Sequence, residues 1–320
     1  MSILDLIADD VAAVQKEKEE NEINSIGLID FLGTMHMARN VTKKQWEYNN
    51  PVMEMVLYTL RNTIPLLALV KADRCAAVDD SKPYYKSMDY KIYKSDRTRM
   101  PEDEHELFQE ACSEIRLILR DFFNIPTLAV DGAEADDIIA YLILQEPEKE
   151  WALLSADSDL DYLFGHSKTL RKYYKGKMQA LPDIKVQYKA TVAERLRINV
   201  PLYHALTSGH NTGIPIDGLG PVTAHKLIST IPEDMTDLQD AAEHLLKYGK
   251  ISKNRPLASH RLALETNLAL QEFPYSGIPD LNITPEFGII NVDLGGFCLY
   301  MEETFGVSPI VSADLVSSMV

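Results

Sequence analysis

Two short segments near the middle of the chain concentrate carboxylates at a spacing suited to binding a cation. The segments are Asp131–Asp137 and Ser155–Asp159. Carboxylates crowded together repel one another, and some would stay neutral unless a cation bound among them. Carboxylate oxygens are hard ligands, which suit Mg²⁺ and Mn²⁺. The residue types therefore predict a divalent-metal site built from Glu134, Asp136, Asp137, Asp157 and Asp159.

A simpler interpretation is that the acids of the first segment only decorate the start of a helix, Ala133–Gln145. Negative side chains are favoured in the first turn of a helix by its dipole. This interpretation accounts for one or two of the acids. It leaves Asp157 and Asp159 unexplained, because they follow the next apolar run, so a metal site is the preferred interpretation.

Each acidic segment follows a short apolar run that is typical of a strand, Ile125–Val130 and then Trp151–Leu154. Two earlier runs also lead into acids, Ile26–Asp30 and Cys75–Asp79. Runs without alternation suit strands that are buried on both faces of an α/β sheet. Folds of this class place their sites at the carboxyl ends of the strands. We therefore predict an α/β fold with a central, mostly parallel twisted sheet flanked by helices.

The stretch from Lys82 to Arg99 is basic and rich in tyrosine. It carries six Lys or Arg residues and four tyrosines, opposed only by Asp89 and Asp96. Aromatic residues interleaved with cations suit a single-stranded nucleic acid, whose bases stack and whose phosphates pair with the cations. A solvated loop with scattered tyrosines is the alternative, and both stay open. The stretch lacks a steady apolar face, so we do not expect it to join the core.

The net charge of −16 over 320 residues argues, taken alone, against nucleic-acid binding. The distribution of charge argues otherwise, because a second basic group comprises Lys168, Arg171, Lys172, Lys175, Lys177, Lys185 and Lys189. The acids collect elsewhere, so we expect a basic groove on an acidic body. The three cysteines are far apart and show no zinc or disulfide spacing, which fits a reducing cytosol. No apolar run reaches transmembrane length.

Helical periodicity and chain-breaking residues predict the other elements. In chain order they are a helix within residues 1–22, Trp46–Arg61 ending near Pro65, Pro101–Phe123, a hairpin about Lys175-Gly176, Val200–Ser208, Thr236–Lys247 and Ser259–Phe273. We expect three parts: an N-terminal helix over 1–22, an α/β core over 23–190 with a basic arch at 82–105, and a helical C-terminal part over 191–320.

The C-terminal part contains the turn Gly218-Leu219-Gly220 directly before a helical pattern that runs to Ile228. A Gly-x-Gly turn that opens a helix exposes N–H groups at the positive helix end, where a phosphate binds well. A plain helix–turn–helix corner is the alternative. On its own this motif is weak.

Together these residues resemble the flap endonuclease or 5′-nuclease superfamily, most closely its bacteriophage 5′-3′ exonuclease (phage RNase H-like) branch. The resemblance covers about residues 26 to 275. It rests on Leu28-Ile29-Asp30, Val78-Asp79, Tyr85-Lys86, Tyr93-Lys94-Ser95-Asp96-Arg97, Glu134-Ala135-Asp136-Asp137, Ser155-Ala156-Asp157-Ser158-Asp159, the glycine turn and Asn267-Leu268-Ala269-Leu270. It implies the PIN-like 5′-nuclease fold with a DNA-binding helix–turn–helix over residues 200–230.

The resemblance also implies an activity, namely metal-dependent hydrolysis of phosphodiester bonds at 5′ ends or flaps of DNA, or of RNA in RNA–DNA hybrids. The cofactor would be Mg²⁺ or Mn²⁺ in a two-metal site, where one ion activates water and the other stabilises the leaving oxygen. The first ion would be held by Asp30, Asp79, Glu134 and Asp136. The second ion would lie toward Asp137, Asp157 and Asp159.

Substrate contacts follow from the same resemblance. Lys86 and Lys94 would stabilise charge on the scissile phosphate, and Arg97 would hold the strand. A monovalent cation is expected at the glycine turn. The remaining DNA contacts would come from Tyr85, Tyr93, Gly218, Leu219, Gly220, Thr223 and Lys226.

The implied partners are DNA with 5′ ends or flaps, RNA–DNA hybrids and replication proteins such as single-strand-binding protein, with no membrane. The implied location is the cytoplasm of a bacterial host.

The chain departs from the family in one place. The family has two aspartates before the glycine turn that complete the second metal site, whereas the segment from Thr207 to Pro215 has no carboxylate here. We therefore expect one tight metal site and one weak or absent one. This departure keeps open a nuclease-derived DNA-binding protein that does not cleave. A PIN-type ribonuclease also stays open, although the long basic arch and the glycine turn count against it.

Overall fold

The computed structural model describes residues 25–69, 72, 74–95, 99–174, 177–207, 213–279, 281, 283 and 285–317. The helix expected within residues 1–22 lies outside this part of the chain. Arg97 and residues 208–212, which include most of the segment that lacks the family's aspartates, also lie outside it.

Within the described residues, seven strands form one sheet, in the order β3-β2-β1-β4-β5-β6 with β9 also pairing with β2. The first five strands are parallel, and β6 and β9 are antiparallel to their neighbours. A separate two-stranded ribbon joins β7 and β8. The strands are β1 Ser25–Asp30, β2 Arg74–Val78, β3 Thr127–Leu128, β4 Glu150–Leu154, β5 Arg171–Tyr174, β6 Lys177–Gln179, β7 Lys250–Ser252, β8 Arg255–Pro256 and β9 Gly288–Ile289.

The mostly parallel sheet confirms the α/β class predicted from the unalternating apolar runs. β1 is buried along its whole length. Asp30 at its end is in register with Val78, the last residue of β2, and Ile29 is in register with Leu154, the last residue of β4. The carboxyl ends of these three neighbouring strands therefore meet at one edge, which is where the acids of the sequence follow them.

Helices cover both faces of the sheet and form the C-terminal part. They are α1 Phe31–Thr42, α2 Pro51–Leu69, α3 Tyr85–Asp89, α4 Glu102–Phe123, α5 Ala135–Gln145, α6 Leu181–Gln187, α7 Leu196–Thr207, α8 Pro221–Ile228, α9 Leu238–Tyr248, α10 Arg261–Leu270, α11 Leu294–Phe305 and α12 Pro309–Val316. Short 3₁₀ helices span Lys43–Gln45, Asp159–Gly165, Ala193–Arg195 and Leu257–His260.

Three apolar cores hold these layers together. One packs α1, α2 and α4 on one face of the sheet around residues such as Leu60 and Ile115. A second packs α5 and the 3₁₀ helix Asp159–Gly165 on the other face, and a third holds α7 to α10 together around Leu227 and Leu245. Among the described residues, no helix is both long enough and apolar enough to cross a bilayer.

Several predicted element boundaries were wrong, among them the start of the helix predicted from Trp46, which begins at Pro51, and of the helix predicted from Val200, which begins at Leu196. The helix expected to end near Pro65 continues through that proline to Leu69, because Ile64 and Leu67 on either side of it are buried in the first core. The strand expected over Ile125–Val130 shrinks to Thr127–Leu128, paired only with the last two residues of β2. Tertiary packing overrides the local propensity of a proline in the case of Pro65.

Candidate metal centre

Asp30 and the second acidic segment are joined by Ser155. Its hydroxyl donates to Asp30 Oδ2 at 2.8 Å and accepts from the backbone N–H of Asp157 at 3.0 Å. The other oxygen of Asp30 accepts from the N–H of Gly33 at 3.0 Å and so caps α1. The serine of the Ser-x-Asp-x-Asp motif therefore locks the end of β1 to the loop after β4.

The acid at the end of β2 that faces this loop is Asp80 rather than Asp79. Asp79 Oδ2 accepts two hydrogen bonds from Arg116 on α4, at 2.9 and 2.6 Å. Asp80 instead bonds the N–H of Ala135 at 2.8 Å and raises the pKa of Asp30 by its charge. Successive residues of extended chain point to opposite sides, so only one of two adjacent acids can face the site. This arrangement does not support the prediction that Asp79 is a metal ligand, and Asp80 is the acid whose charge acts on Asp30.

Glu134, at the start of α5, lies beneath the basic arch. Both of its carboxylate oxygens are engaged there, one by the Tyr93 hydroxyl and the other by the Lys94 ammonium group. Lys94 adopts a left-handed backbone conformation with φ +56°, which is strained for a residue with a side chain. Tyr93 is only 8% exposed, so the expectation that its ring stacks on a base does not fit the structure.

Both carboxylate oxygens of Asp137 are engaged by backbone N–H groups. Its Oδ2 accepts from the N–H of Glu134 at 3.2 Å, which caps α5, and its Oδ1 accepts from the N–H of Tyr275 at 2.8 Å. Lys86 Nζ lies 3.6 Å from the same Oδ1. The helix-start interpretation therefore accounts for Asp137, and this placement does not support the prediction that it is a metal ligand.

The prediction that Lys86 stabilises charge on the scissile phosphate is not supported by the position of its side chain. Its side chain is 1% exposed, and its ammonium group lies 3.9 Å from the centre of the Phe273 ring. Charged side chains are buried only where they are paired, as here with Asp137. The arch thus begins with a buried lysine that joins the core. Tyr85 is half-buried, and its ring lies so close to Gly132 that a Cβ there would collide with it.

The carboxylates that remain form a close group, here called the carboxylate cluster: Asp30, Asp80, Glu134, Asp136 and Asp157. Burial raises the pKa of Asp30 to about 6 and raises the pKa of Asp136 well above its ordinary value. The charges of Asp157, Asp30 and Glu134 raise the pKa of Asp136 further. Among the described cations, none forms an ion pair with Asp30, Asp136 or Asp157.

The chemistry of the cluster fits a divalent cation. Oxygen donors that repel one another are what Mg²⁺ or Mn²⁺ would stabilise, and the ion would remove the repulsion that raises the pKa of Asp136. As the side chains stand, no group of three or more His, Cys, Asp or Glu within the described residues is arranged to hold an ion. Lys94 on Glu134 and Arg116 on Asp79 supply positive charge there instead.

Asp159 lies at the edge of the cluster and has a different environment. Burial raises its pKa to about 7, with a further contribution from the charge of Asp157. Its Oδ1 lies 3.0 Å from Nδ1 of His204 on α7. Sequence reasoning missed His204, because no motif links it to an acid 45 residues earlier in the chain.

The glycine turn lies in the C-terminal helical part. Gly218 has φ +77°, a conformation that favours glycine, and Gly220 is the N-cap of α8. Asn267 fixes the approach to the turn, since its side chain bonds both the N–H and the C=O of Ile214, at 2.7 and 2.9 Å. Leu219 is buried in the third core, so only its backbone is available for a DNA contact. Lys226 is exposed on α8 and Thr223 is half-buried.

The second basic group is less open than its sequence suggests. Lys172 is buried against Asp161, with Nζ 2.6 Å from Oδ1, and Arg171 pairs with Glu150 at 3.2 Å. Lys189 is exposed and Lys185 half-buried beside a cleft of about 480 Å³ along α6. The expected basic surface therefore keeps only part of this group.

Comparison with known proteins places this site in context. A family model described as the 5′-3′ exonuclease, N-terminal resolvase-like domain matches residues 31–196, slightly more than half of the chain. The flap endonuclease Xni of Photobacterium profundum is 28% identical over 187 residues, which covers 56% of this chain and 67% of that relative.

Solved structures share the fold over almost the whole chain. The 5′-exonuclease of bacteriophage T5 with bound zinc ions superposes with a TM-score of 0.60 at 16% identity, covering 93% of this chain and 100% of that one. The bacteriophage T5 flap endonuclease, solved as a pseudo-enzyme–product complex with DNA and metal ions, gives a TM-score of 0.59 at 16% identity, covering 92% and 100%.

Proposed function

Because the chain belongs to the 5′-3′ exonuclease family, and with it to the flap endonuclease or 5′-nuclease superfamily, we propose that it hydrolyses phosphodiester bonds of DNA at 5′ ends or flaps with the help of a divalent metal ion. The observation that carries this proposal is the carboxylate cluster at the carboxyl ends of β1, β2 and β4. Five acids from four segments of the chain converge there beneath a basic arch.

The metal is supported by the donor chemistry of the cluster and by the relatives solved with divalent ions. A bound divalent ion would supply Lewis-acid stabilisation of the charge that develops on the phosphate. Asp30, Asp136 and Asp157 are the residues proposed to hold it, with Asp80 and Glu134 beside them. We propose Mg²⁺ or Mn²⁺, since the donors are all carboxylate oxygens.

Lys94 is the arch cation proposed to meet the substrate. Its side chain is 19% exposed and lies at the rim of the cluster, against Glu134. A phosphate bound there would compete with Glu134 for the ammonium group, so Lys94 would pass from a carboxylate partner to a phosphate partner. Lys86 cannot do the same, because it is closed off by Phe273 and Asp137.

The glycine turn is proposed as a contact for the duplex backbone. The N-terminus of α8 offers free N–H groups, since its N-cap is a glycine without a capping side chain. Exposed Lys226 follows on the same helix. Contacts of this kind position a duplex without reading its sequence. RNA–DNA hybrids and a single-strand-binding protein remain proposals that rest on the resemblance alone.

The test is a cleavage assay with labelled 5′-flap, nicked, single-stranded and RNA–DNA hybrid substrates in Mg²⁺ and in Mn²⁺. The proposed function predicts metal-dependent release of products from the 5′ side of the junction. Binding to the flap substrate without cleavage in either metal would favour a nuclease-derived binding protein. Cleavage of single-stranded RNA alone would favour a PIN-type ribonuclease, although the match to the 5′-3′ exonuclease family does not favour either outcome.

A further inference from the structure

A chain of buried polar side chains runs from the second basic group to the edge of the carboxylate cluster. It passes through Lys172, Asp161, Tyr188 and His204 and ends at Asp159. The four residues before Asp159 are each more than nine-tenths buried. They come from β5, the 3₁₀ helix after β4, the end of α6 and α7. Buried polar groups are retained only when hydrogen-bonded, so this chain fixes the relative positions of those four elements.

His204 is the member that touches the acidic segment. Its Nδ1 lies 3.0 Å from Asp159 Oδ1, and its Nε2 lies 3.0 Å from the hydroxyl oxygen of Tyr188. When Asp159 is ionised, as it would be with a divalent ion bound, its carboxylate only accepts hydrogen bonds, so Nδ1 then carries the proton that is donated to Asp159. In a neutral imidazole, Nε2 then accepts the hydroxyl proton of Tyr188.

The side chains at the other end of this hydrogen-bonded series permit this arrangement. Tyr188 has one hydroxyl proton and three acceptors in reach: His204 Nε2 at 3.0 Å, Asp161 Oδ2 at 3.1 Å and the carbonyl oxygen of Ser158 at 3.4 Å. Asp161 does not depend on that proton, because it accepts from Lys172 at 2.6 Å and from Gln187 at 3.3 Å. Tyr188 is therefore free to hold the imidazole ring in one orientation.

We propose that His204 is a positioning residue for Asp159, holding its carboxylate beside Asp157 in the orientation needed for a divalent ion. The inference rests on the proposed function, because it concerns the same site. Ligand orientation by hydrogen bonds from neighbouring residues commonly changes metal affinity 10–100-fold. α7 leads directly into the carboxylate-free segment before the glycine turn. His204 is a side chain through which this helix contacts the acidic segment.

Two substitutions separate the two faces of the imidazole. His204→Asn keeps an N–H close to the position of Nδ1 and so keeps the contact with Asp159. His204→Leu fills the same buried space and keeps neither contact. Tyr188→Phe removes the hydroxyl group that orients the ring and leaves its volume unchanged. His244→Asn, on α9, is the matched control for a histidine outside the chain of contacts.

The readouts are calorimetric titration of Mg²⁺ and Mn²⁺ into the DNA-free protein, and kcat and KM on a 5′-flap substrate. Melting temperatures establish that each variant is folded at the assay temperature. We expect His204→Leu to weaken metal affinity about tenfold, His204→Asn to restore it to within about threefold, and Tyr188→Phe to fall between them. KM for DNA should not change, because none of these side chains lies on the proposed DNA-binding surface.

Wild-type metal affinity in folded His204→Leu would overturn the proposal. Equal loss in the Asn and Leu variants would overturn it too, since it would show that only the packing of the histidine matters. Failure of the wild-type protein to bind either metal or to cleave is a different result. It would refute the proposed function, and measurements on the wild-type protein alone reveal it.

Discussion

Lys86 Nζ lies 3.6 Å from Asp137 Oδ1, and both side chains are almost fully buried. The pair joins the first turn of the arch to the first turn of α5. The N–H of Tyr275 bonds the same carboxylate, so the segment after α10 is tied to this point as well. The base of the arch is therefore part of the core, and only its far side is available to a substrate.

The first prediction concerns this buried pair. Lys86→Met leaves Asp137 charged and without its cation, which should lower the free energy of unfolding by about 3–5 kcal/mol. Lys86→Met combined with Asp137→Asn removes both charges, so it should recover part of the loss; it cannot recover all of it, because an amide has one acceptor oxygen for the N–H groups of Glu134 and Tyr275. Urea denaturation of the three proteins measures the effect. A loss below about 1 kcal/mol in the single variant would show that the pair is not buried in solution.

The second prediction separates the two glycines of the turn. A Cβ on Gly220 meets nothing within 4 Å and its φ is −106°, so Gly220→Val should fold normally. It should weaken binding to duplex DNA, because the added side chain lies over the N–H groups of α8. Gly218→Ala is the control for strain, since φ +77° should cost about 1–2 kcal/mol of stability. Equal loss of affinity by Gly220→Val for single strands and duplexes would exclude a duplex-specific contact.

The third prediction is a pH dependence of the metal-free protein. Burial raises the pKa of Asp30 to about 6 and that of Asp159 to about 7, above an unfolded value of about 3.9. Between the unfolded pKa and the folded pKa of each group, the folded state binds more protons than the unfolded state. The free energy of unfolding is therefore highest at low pH, and the contribution of the two groups is lost as the pH rises through their folded pKa values of about 6 and 7. A shift of two pKa units corresponds to about 3 kcal/mol.

Chemical denaturation in EDTA between pH 5 and 8 measures this slope. Asp30→Asn should flatten it, and saturating Mg²⁺ should reverse the loss by binding the ionised form. A metal-free protein that becomes more stable from pH 5 to 8 would contradict the assignment of Asp30 and Asp159 as buried carboxyl groups with raised pKa values.

The sequence was sufficient to predict the sheet edge that carries the site. Unalternating apolar runs that end in acids, such as Ile26–Asp30 and Trp151–Leu154, became parallel strands whose carboxyl ends meet. The same patterns do not predict which of two adjacent acids faces the cluster. Asp79 and Asp80 have equal chemistry, and only the distant Arg116 on α4 decides which of them faces away from the cluster.

The other errors have the same origin in contacts between distant residues. The local sequence does not reveal that Lys86 is buried, because its partners, Asp137 and Phe273, lie 51 and 187 residues further along the chain. His204 gives no signal either, since a lone histidine on a helix is ordinary. Local patterns predict elements and their order, but they do not predict which polar side chains are buried together.

The fourth prediction concerns metal stoichiometry. Residues 207–215 contain no carboxylate, so a second ion would depend on Asp159, neutral groups and the DNA phosphate itself. Neutral ligands compensate the dehydration of Mg²⁺ less well than carboxylates do. Calorimetric titration of Mg²⁺ into the free protein should therefore show one tight site and one weak or absent site. Two sites of similar affinity, with ordinary turnover in Mg²⁺, would show that the missing aspartates have no consequence.

The most direct measurement is the cleavage rate of Asp136→Asn on a 5′-flap substrate in saturating Mg²⁺. Asp136 is the residue whose pKa is raised both by burial and by three neighbouring carboxylates, and it lies at the centre of the cluster. Asp136 is proposed to hold the ion that stabilises the charge developing on the phosphate, and loss of such stabilisation costs at least about 100-fold in turnover. Asp121→Asn on the exposed face of α4 is the matched control and should leave the rate unchanged. The account predicts a loss of that size with an unchanged or raised metal-free melting temperature, and near wild-type turnover in Asp136→Asn would contradict it.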